Sequence, residues 1–134
     1  MQDCFQMNMT LGQIGALSSL ALAHVGDAVY ELLVRASLCA EGVPRADVLH
    51  QRTVAYVSAP AQAAAAERLL PMLTEEEAEV FRRGRNAHVR SVPKGASTGE
   101  YHTATGLEAL FGWLYLSGRH DRLTVLAAAV LGGE

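Results

Sequence analysis

Apolar residues recur along this chain at helical spacing, and the strict alternation of a half-buried strand is nearly absent. The pattern predicts an all-α protein. Thr10 followed by Gln13 reads as a capping box opening a first helix. A second, long helix is expected from residue 18 or 19 to Cys39, with Gly42 and Pro44 ending it. A third is expected over about 44–57. Ser58 caps a fourth, with Pro60 near its first turn, an alanine-rich stretch at 61–66 and Pro71 at its close. Thr74 with Glu77 forms a second capping box, and the acidic first turn suits the positive end of the helix dipole. That fifth helix carries Val80, Phe81 and several arginines. A loop is expected over about 89–101, holding Pro93, Gly95 and Gly99. It is long for a helical domain, a length that often marks function, and it reads as mobile without a ligand. A sixth helix is expected over about 103–116 and a short last one over about 119–131.

The chain length of 134 residues suits a single domain, with residues 1–10 as a flexible tail. No apolar run approaches the ~18 residues of a membrane span, and the N-terminus lacks the order of a signal peptide. A cytoplasmic protein with no membrane partner is expected. Cys4 falls in the tail. Cys39 falls near the end of an apolar helix and reads as a buried free thiol. The formal net charge of −3 argues against a nucleic-acid partner until its distribution is considered. Acid gathers at Glu75, Glu76, Glu77 and Glu79. Residues 81–99 contain no acid, but hold Arg82, Arg83, Arg85, Arg90 and Lys94. A local basic surface decides phosphate binding more than the total does.

Two acids stand out because their surroundings are apolar. Glu108 is the only charge in the run Gly106-Leu107-Glu108-Ala109-Leu110-Phe111-Gly112-Trp113-Leu114. Gly106 and Gly112 each weaken a helix by roughly 1 kcal/mol relative to Ala, which is understandable if another backbone packs closely there. A buried carboxylate is costly unless paired, hydrogen-bonded or metal-bound. An arginine partner or a solvent-facing position remains the plainer reading. Asp27 sits mid-helix beside Gly26 among small and apolar residues, where Asp is a poor helix former. His24, Asp27, Glu31 and Arg35 share one stripe, and a simple Glu31–Arg35 ion pair would explain Glu31. Two isolated acids on two packed helices, each bordered by glycine, could converge on one divalent cation such as Mg²⁺, which prefers oxygen ligands. Arg82, Arg83, Arg85, Asn86, Arg90 and Lys94 form a candidate phosphate-binding set. Basic residues complementing the dipole at a helix end would account for one or two of them. The histidines at 50, 88, 102 and 120 lack metal-type spacing. His102 lies just before the helix bearing Glu108, within reach of the site, but is not counted among its residues.

These motifs resemble a known family. Val25-Gly26-Asp27-Ala28-Val29 resembles the signature helix of ribonuclease III, and Glu108-Ala109-Leu110-Phe111-Gly112-Trp113-Leu114-Tyr115-Leu116 resembles its second carboxylate helix. With Arg82-Arg83-Gly84-Arg85-Asn86-Ala87 between them, the chain is similar over about 11–123 to the Mini-ribonuclease III branch. That branch has a catalytic domain without a double-stranded-RNA-binding domain. The resemblance implies the ribonuclease III endonuclease-domain fold, an all-α homodimer. It implies that Asp27 and Glu108 are the catalytic acids and hold Mg²⁺ or Mn²⁺. The implied reaction is hydrolysis of double-stranded RNA, leaving a 5′-phosphate and a 3′-hydroxyl. The implied substrate is a large-subunit (23S) ribosomal RNA precursor, on which a ribosomal protein can be bound, in the bacterial cytoplasm.

The larger enzymes carry further acids at positions occupied here by Leu20, Ala23 and Thr105, and an aromatic residue where His24 stands. The reduced acid set is shared with the Mini-ribonuclease III branch and argues against a two-metal site held wholly by protein. Glu31 stays a candidate accessory acid. Two rivals remain. One is an all-α metal-dependent nucleotide pyrophosphohydrolase, which needs a denser carboxylate array. The other is a catalytically inactive ribonuclease-III-like domain that only binds RNA.

Overall fold

The computed structural model describes residues 3–87 and 96–132. Seven α-helices follow one another among them: α1 (Leu11–Gly15), α2 (Ser19–Ala40), α3 (Ala46–Val57), α4 (Ala59–Leu69), α5 (Glu75–Arg85), α6 (Thr98–Leu116) and α7 (His120–Val130). A single 3-10 turn, Leu70–Met72, links α4 to α5 around Pro71. The described residues contain no strand, and no described helix is long and apolar enough to cross a membrane.

The helix starts follow from local hydrogen bonding. Thr10 and Gln13 close the capping box of α1, and Thr74 and Glu77 close that of α5. Ser18 accepts from the Ala21 N–H to start α2. Ser58 both ends α3, donating its N–H to the Val54 carbonyl, and starts α4, accepting from the Ala61 N–H. After α2 the chain reverses at Gly42, whose φ of +96° only glycine adopts readily.

Helix α6 begins at Thr98, not near residue 103 as the sequence pattern suggests. The cause is a third capping box: Ser97 accepts from the Glu100 N–H at 3.1 Å, and Glu100 accepts from the Ser97 N–H at 3.0 Å. Part of the expected long loop is therefore a helical turn. Its residues 88–95, with Arg90 and Lys94, lie outside the described residues.

Helix α6 is the axis of the fold. From Ala104 to Leu116, only Glu108 and Tyr115 are not buried, so this helix is apolar nearly all round, as a central helix must be. Helices α2, α4, α5 and α7 pack around it. Leu107, Leu110 and Leu114 meet Leu38, Leu69 and Leu126 in the core, all almost fully buried, and each such leucine contributes about 2 kcal/mol of burial free energy. Glu77 and Arg122 brace the start of α5 to α7 at 2.7 Å. In the N-terminal segment, Met7 and Met9 pack partly buried against the core, and the Met9 N–H donates to the Leu116 carbonyl at 2.8 Å. Cys39 is exposed, contrary to the buried thiol expected. Its neighbour Leu38 takes the inward position, and one helical step turns Cys39 outward.

Candidate active site

The position of both acids is set by where backbones touch. A Cβ built on Gly26 would stand 1.6 Å from the Glu108 carbonyl oxygen, and one on Gly112 would stand 2.0 Å from the Leu22 carbonyl oxygen. Helices α2 and α6 thus cross with main chain against main chain, at a distance that no side chain permits. Glu108 lies one turn before Gly112, and Asp27 follows Gly26 directly. The crossing brings the two carboxyls together. A second close approach sits beside it. A Cβ on Gly106 would stand 2.7 Å from the Phe81 carbonyl oxygen, and one on Gly84 would stand 2.6 Å from Ala109 Cβ. The basic end of α5 is therefore held beside the N-terminal half of α6, next to Glu108.

The two acids have unequal surroundings. Asp27 is exposed and Glu108 is partly buried, so one stands at the mouth of the site and the other at its floor. Burial pushes the Glu108 carboxyl up to about 8. The negative charge of Asp27 and a hydrogen bond with it push the same way, and the Gln62 amide opposes them. The floor is closed by Gln62 of α4 and Tyr30 of α2, each 1% exposed. The Tyr30 ring rests against Phe111 with centroids 5.0 Å apart. Burial pushes its hydroxyl up strongly, Arg68 draws it down and Glu108 adds to the rise. Tyr30 Oη and Gln62 Nε2 are the buried side-chain polar atoms without a hydrogen-bond partner among the described residues. Such atoms are rare in a folded protein.

This donor set fits a hard divalent cation. Two carboxyls face each other, the Glu108 one raised first by burial and then by the charge of Asp27, and both offer oxygen, the ligand atom Mg²⁺ prefers. Among the described residues no group of three His, Cys, Asp or Glu side chains is placed to hold a metal. The fit is therefore to one cation on two acids, with water completing its shell. Leu20 and Ala23 supply no further carboxylate, and Thr105 turns its hydroxyl back to the Tyr101 carbonyl at 2.9 Å. Glu31 is paired with Arg35 at 2.7 Å, one turn beyond Asp27.

The candidate phosphate contacts on α5 are exposed, but two are engaged. Glu79 accepts from Arg82 at 2.6 Å and from Arg83 at 2.9 Å, and those arginines hold its carboxyl below the usual range. Arg85 lies over the Phe81 ring and donates to the Asn86 side chain at 3.5 Å. Asn86 itself ends α5. His102 Nδ1 is 3.1 Å from the Arg85 carbonyl, so it closes the end of α5 instead of joining the acids. The dense acids of α5 form no open array: Glu76 is paired with Arg119 at 2.8 Å, Glu77 with Arg122, and Glu79 with two arginines. That removes the feature a nucleotide pyrophosphohydrolase site would need.

Sequence reasoning missed Gln62, Tyr30 and Glu79. Gln62 had a signal, as the one polar residue inside the alanine-rich stretch. Tyr30 had one too, at three residues from Asp27 on the same helix face.

Residues 20–119 match the family described as Ribonuclease III domain. The Mini-ribonuclease 3 of Symbiobacterium thermophilum is 48% identical over 122 residues, covering 90% of this chain and 94% of that protein. That of Enterococcus faecalis is 45% identical over 112 residues, covering 82% and 85%. A crystal structure of a protein from Fusobacterium nucleatum superposes with a TM-score of 0.82 at 28% identity, covering 90% of this chain and 96% of that one. The glycine-locked helix crossing, the two acids it joins and these similarities lead to one conclusion: the chain belongs to the ribonuclease III family, in its Mini-ribonuclease III branch.

Proposed function

We propose that this protein is a metal-dependent endoribonuclease for double-stranded RNA, with Asp27 and Glu108 as its catalytic, metal-holding acids. Membership of the ribonuclease III family makes the chain an RNA endonuclease. The observation that carries the finer reading is the meeting of two carboxyls at the α2–α6 crossing, with Glu108 pushed up to about 8 by burial and by Asp27. Such a pair is discharged by a cation between its members. Mg²⁺ bound there, or Mn²⁺ in its place, would supply an activated water and neutralise charge building on the scissile phosphate. Asp27 and Glu108 would hold the ion. Arg82, Arg83, Arg85 and Asn86, with Arg90 and Lys94 in the adjoining segment, would hold the RNA backbone. Water adds to phosphorus as the 3′ oxygen leaves, so the products carry a 5′-phosphate and a 3′-hydroxyl.

The active form is read as a homodimer. An apolar groove of about 580 Å³ along α2 and α7, lined in part by Val25, Leu32, Leu33 and Leu123, supports this, as does Leu32 at 59% exposure. Two sites on a twofold body could straddle the wide minor groove of A-form RNA and cut opposite strands. The substrate proposed is the end region of a large-subunit ribosomal RNA precursor in the cytoplasm, where a ribosomal protein can already be bound. Glu31, locked to Arg35, is at most accessory.

Cleavage of a long RNA duplex tests the reading, with Mg²⁺ or with EDTA, by the native protein and by Asp27→Asn and Glu108→Gln. Cutting by the native protein alone, and only with metal, is expected, with both variants down at least about a thousandfold while folded. A folded native protein that binds duplexes but cuts none, with Mg²⁺ or Mn²⁺ at low salt, would establish the binding-only alternative.

A further inference from the structure

Gln62 occupies a position built for a leucine. On α4 it shares the inward face with Ala65, Ala66 and Leu69, at the three- and four-residue spacing of a buried stripe, and it is 1% exposed. Its Nε2 has no hydrogen-bond partner among the described residues, although an unpaired buried donor is costly and an apolar side chain of the same shape would avoid that cost. Helix α4 packs directly on α6, and the amide is near enough to the Glu108 carboxyl to favour its ionised form. From α2, Asp27 and the Tyr30 hydroxyl also neighbour Glu108, and that hydroxyl has no hydrogen-bond partner among the described residues. The Gln62 amide is thus a buried donor beside this acid.

We propose that Gln62 is a positioning residue for the metal site, its buried amide holding the Glu108 carboxylate in the orientation that faces Asp27. The proposal rests on the reading of Asp27 and Glu108 as the acids that hold the ion. Groups that orient a metal ligand from behind commonly set affinity by one to two orders of magnitude. Here the orienting group comes from a third helix, so α4 contributes to the site although it carries no ligand of its own.

Mn²⁺ binding, followed by the loss of the free-ion paramagnetic signal, separates this role from simple packing. The proteins compared are native, Gln62→Met, Asp27→Asn and Glu108→Gln. Methionine keeps the length and volume and removes the amide, so Gln62→Met should unfold at or above the native temperature. It should bind Mn²⁺ about 10- to 100-fold more weakly. Its RNA cleavage should fall at low Mn²⁺ and recover as Mn²⁺ is raised, with KM for the duplex unchanged. A purely structural defect would not be rescued by metal. Native-like Mn²⁺ affinity in folded Gln62→Met, with Asp27→Asn and Glu108→Gln both defective, would overturn the role of Gln62 and leave the acid pair standing. Native protein that binds Mn²⁺ no better than Asp27→Asn would instead overturn the metal reading beneath it. If Gln62→Met fails to fold, Gln62→Asn, which keeps an amide but draws it back by one methylene, carries the same readouts: weakened binding rescued by metal supports the proposal, and unchanged binding rejects it.

Discussion

Glu108 is an acid kept uncharged by its position. Its folded value of about 8 stands above the ordinary 4.5 because burial and the charge of Asp27 both disfavour the anion. Between those two values the folded chain retains a proton that the unfolded chain has released. The folded state therefore binds more protons, and stability must fall as pH rises across this window. Urea unfolding of metal-free protein at about pH 5 and about pH 8.5 should show the native chain losing about 4 kcal/mol relative to Glu108→Gln, whose amide does not titrate. Added Mg²⁺ should shrink the difference, because the cation favours the ionised form. Parallel pH profiles for the two proteins would mean that Glu108 is ordinarily ionised and that the pair does not strain the metal-free site. Glu77 is the contrasting acid. Burial pushes it up, but its Arg122 hydrogen bonds outweigh that and hold it below the usual range, so it braces α5 to α7 as an anion.

At the scale of the helix, the governing feature is the absence of side chains where α2 and α6 cross. Gly26→Ala would place a methyl group 1.6 Å from a backbone oxygen that has no freedom to move. The helices must separate, and a loss of about 3 kcal/mol or more is expected by thermal or urea unfolding. Activity should fall with it, because the same separation parts Asp27 from Glu108. Gly99→Ala is the matched control. It lies in the first turn of α6 with open space around it, and should be neutral or stabilise by up to about 1 kcal/mol. Equal effects at the two glycines would remove the close crossing as the basis of the site.

For the molecule as a whole, the net charge of −3 conceals a division of labour. The acids along α5 are matched to Arg119 and Arg122 at the start of α7 and to arginines of α5 itself, so the arginines proposed to hold RNA are partly spent on Glu79. Exposed ion pairs of this kind hold their partners weakly, and RNA phosphates can compete for them. Glu79→Gln should free Arg82 and Arg83 and tighten duplex binding severalfold at low salt, with a steeper fall as salt is raised. Filter binding in an Asp27→Asn background, where cutting is blocked, measures this. An unchanged affinity and salt slope would place the RNA backbone away from the end of α5.

The sequence by itself determined the helices and most of their ends. Capping boxes at Thr10 and Thr74 and the Ser58 switch between helices are settled within a few residues, so a linear reading finds them. The third box at Ser97 is equally local, but Pro93, Gly95 and Gly99 around it carry the signals of a loop. The sequence also singled out Asp27 and Glu108, because a lone charge among apolar residues and glycines is conspicuous wherever the chain later goes. Only the tertiary structure decided that these acids meet. Their meeting depends on Gly26 and Gly112 together lacking a Cβ at one crossing, a joint property of residues far apart in the chain. The same is true of Gln62: its amide looks incidental in an alanine-rich helix until packing removes water from it and sets it beside Glu108 of the central helix.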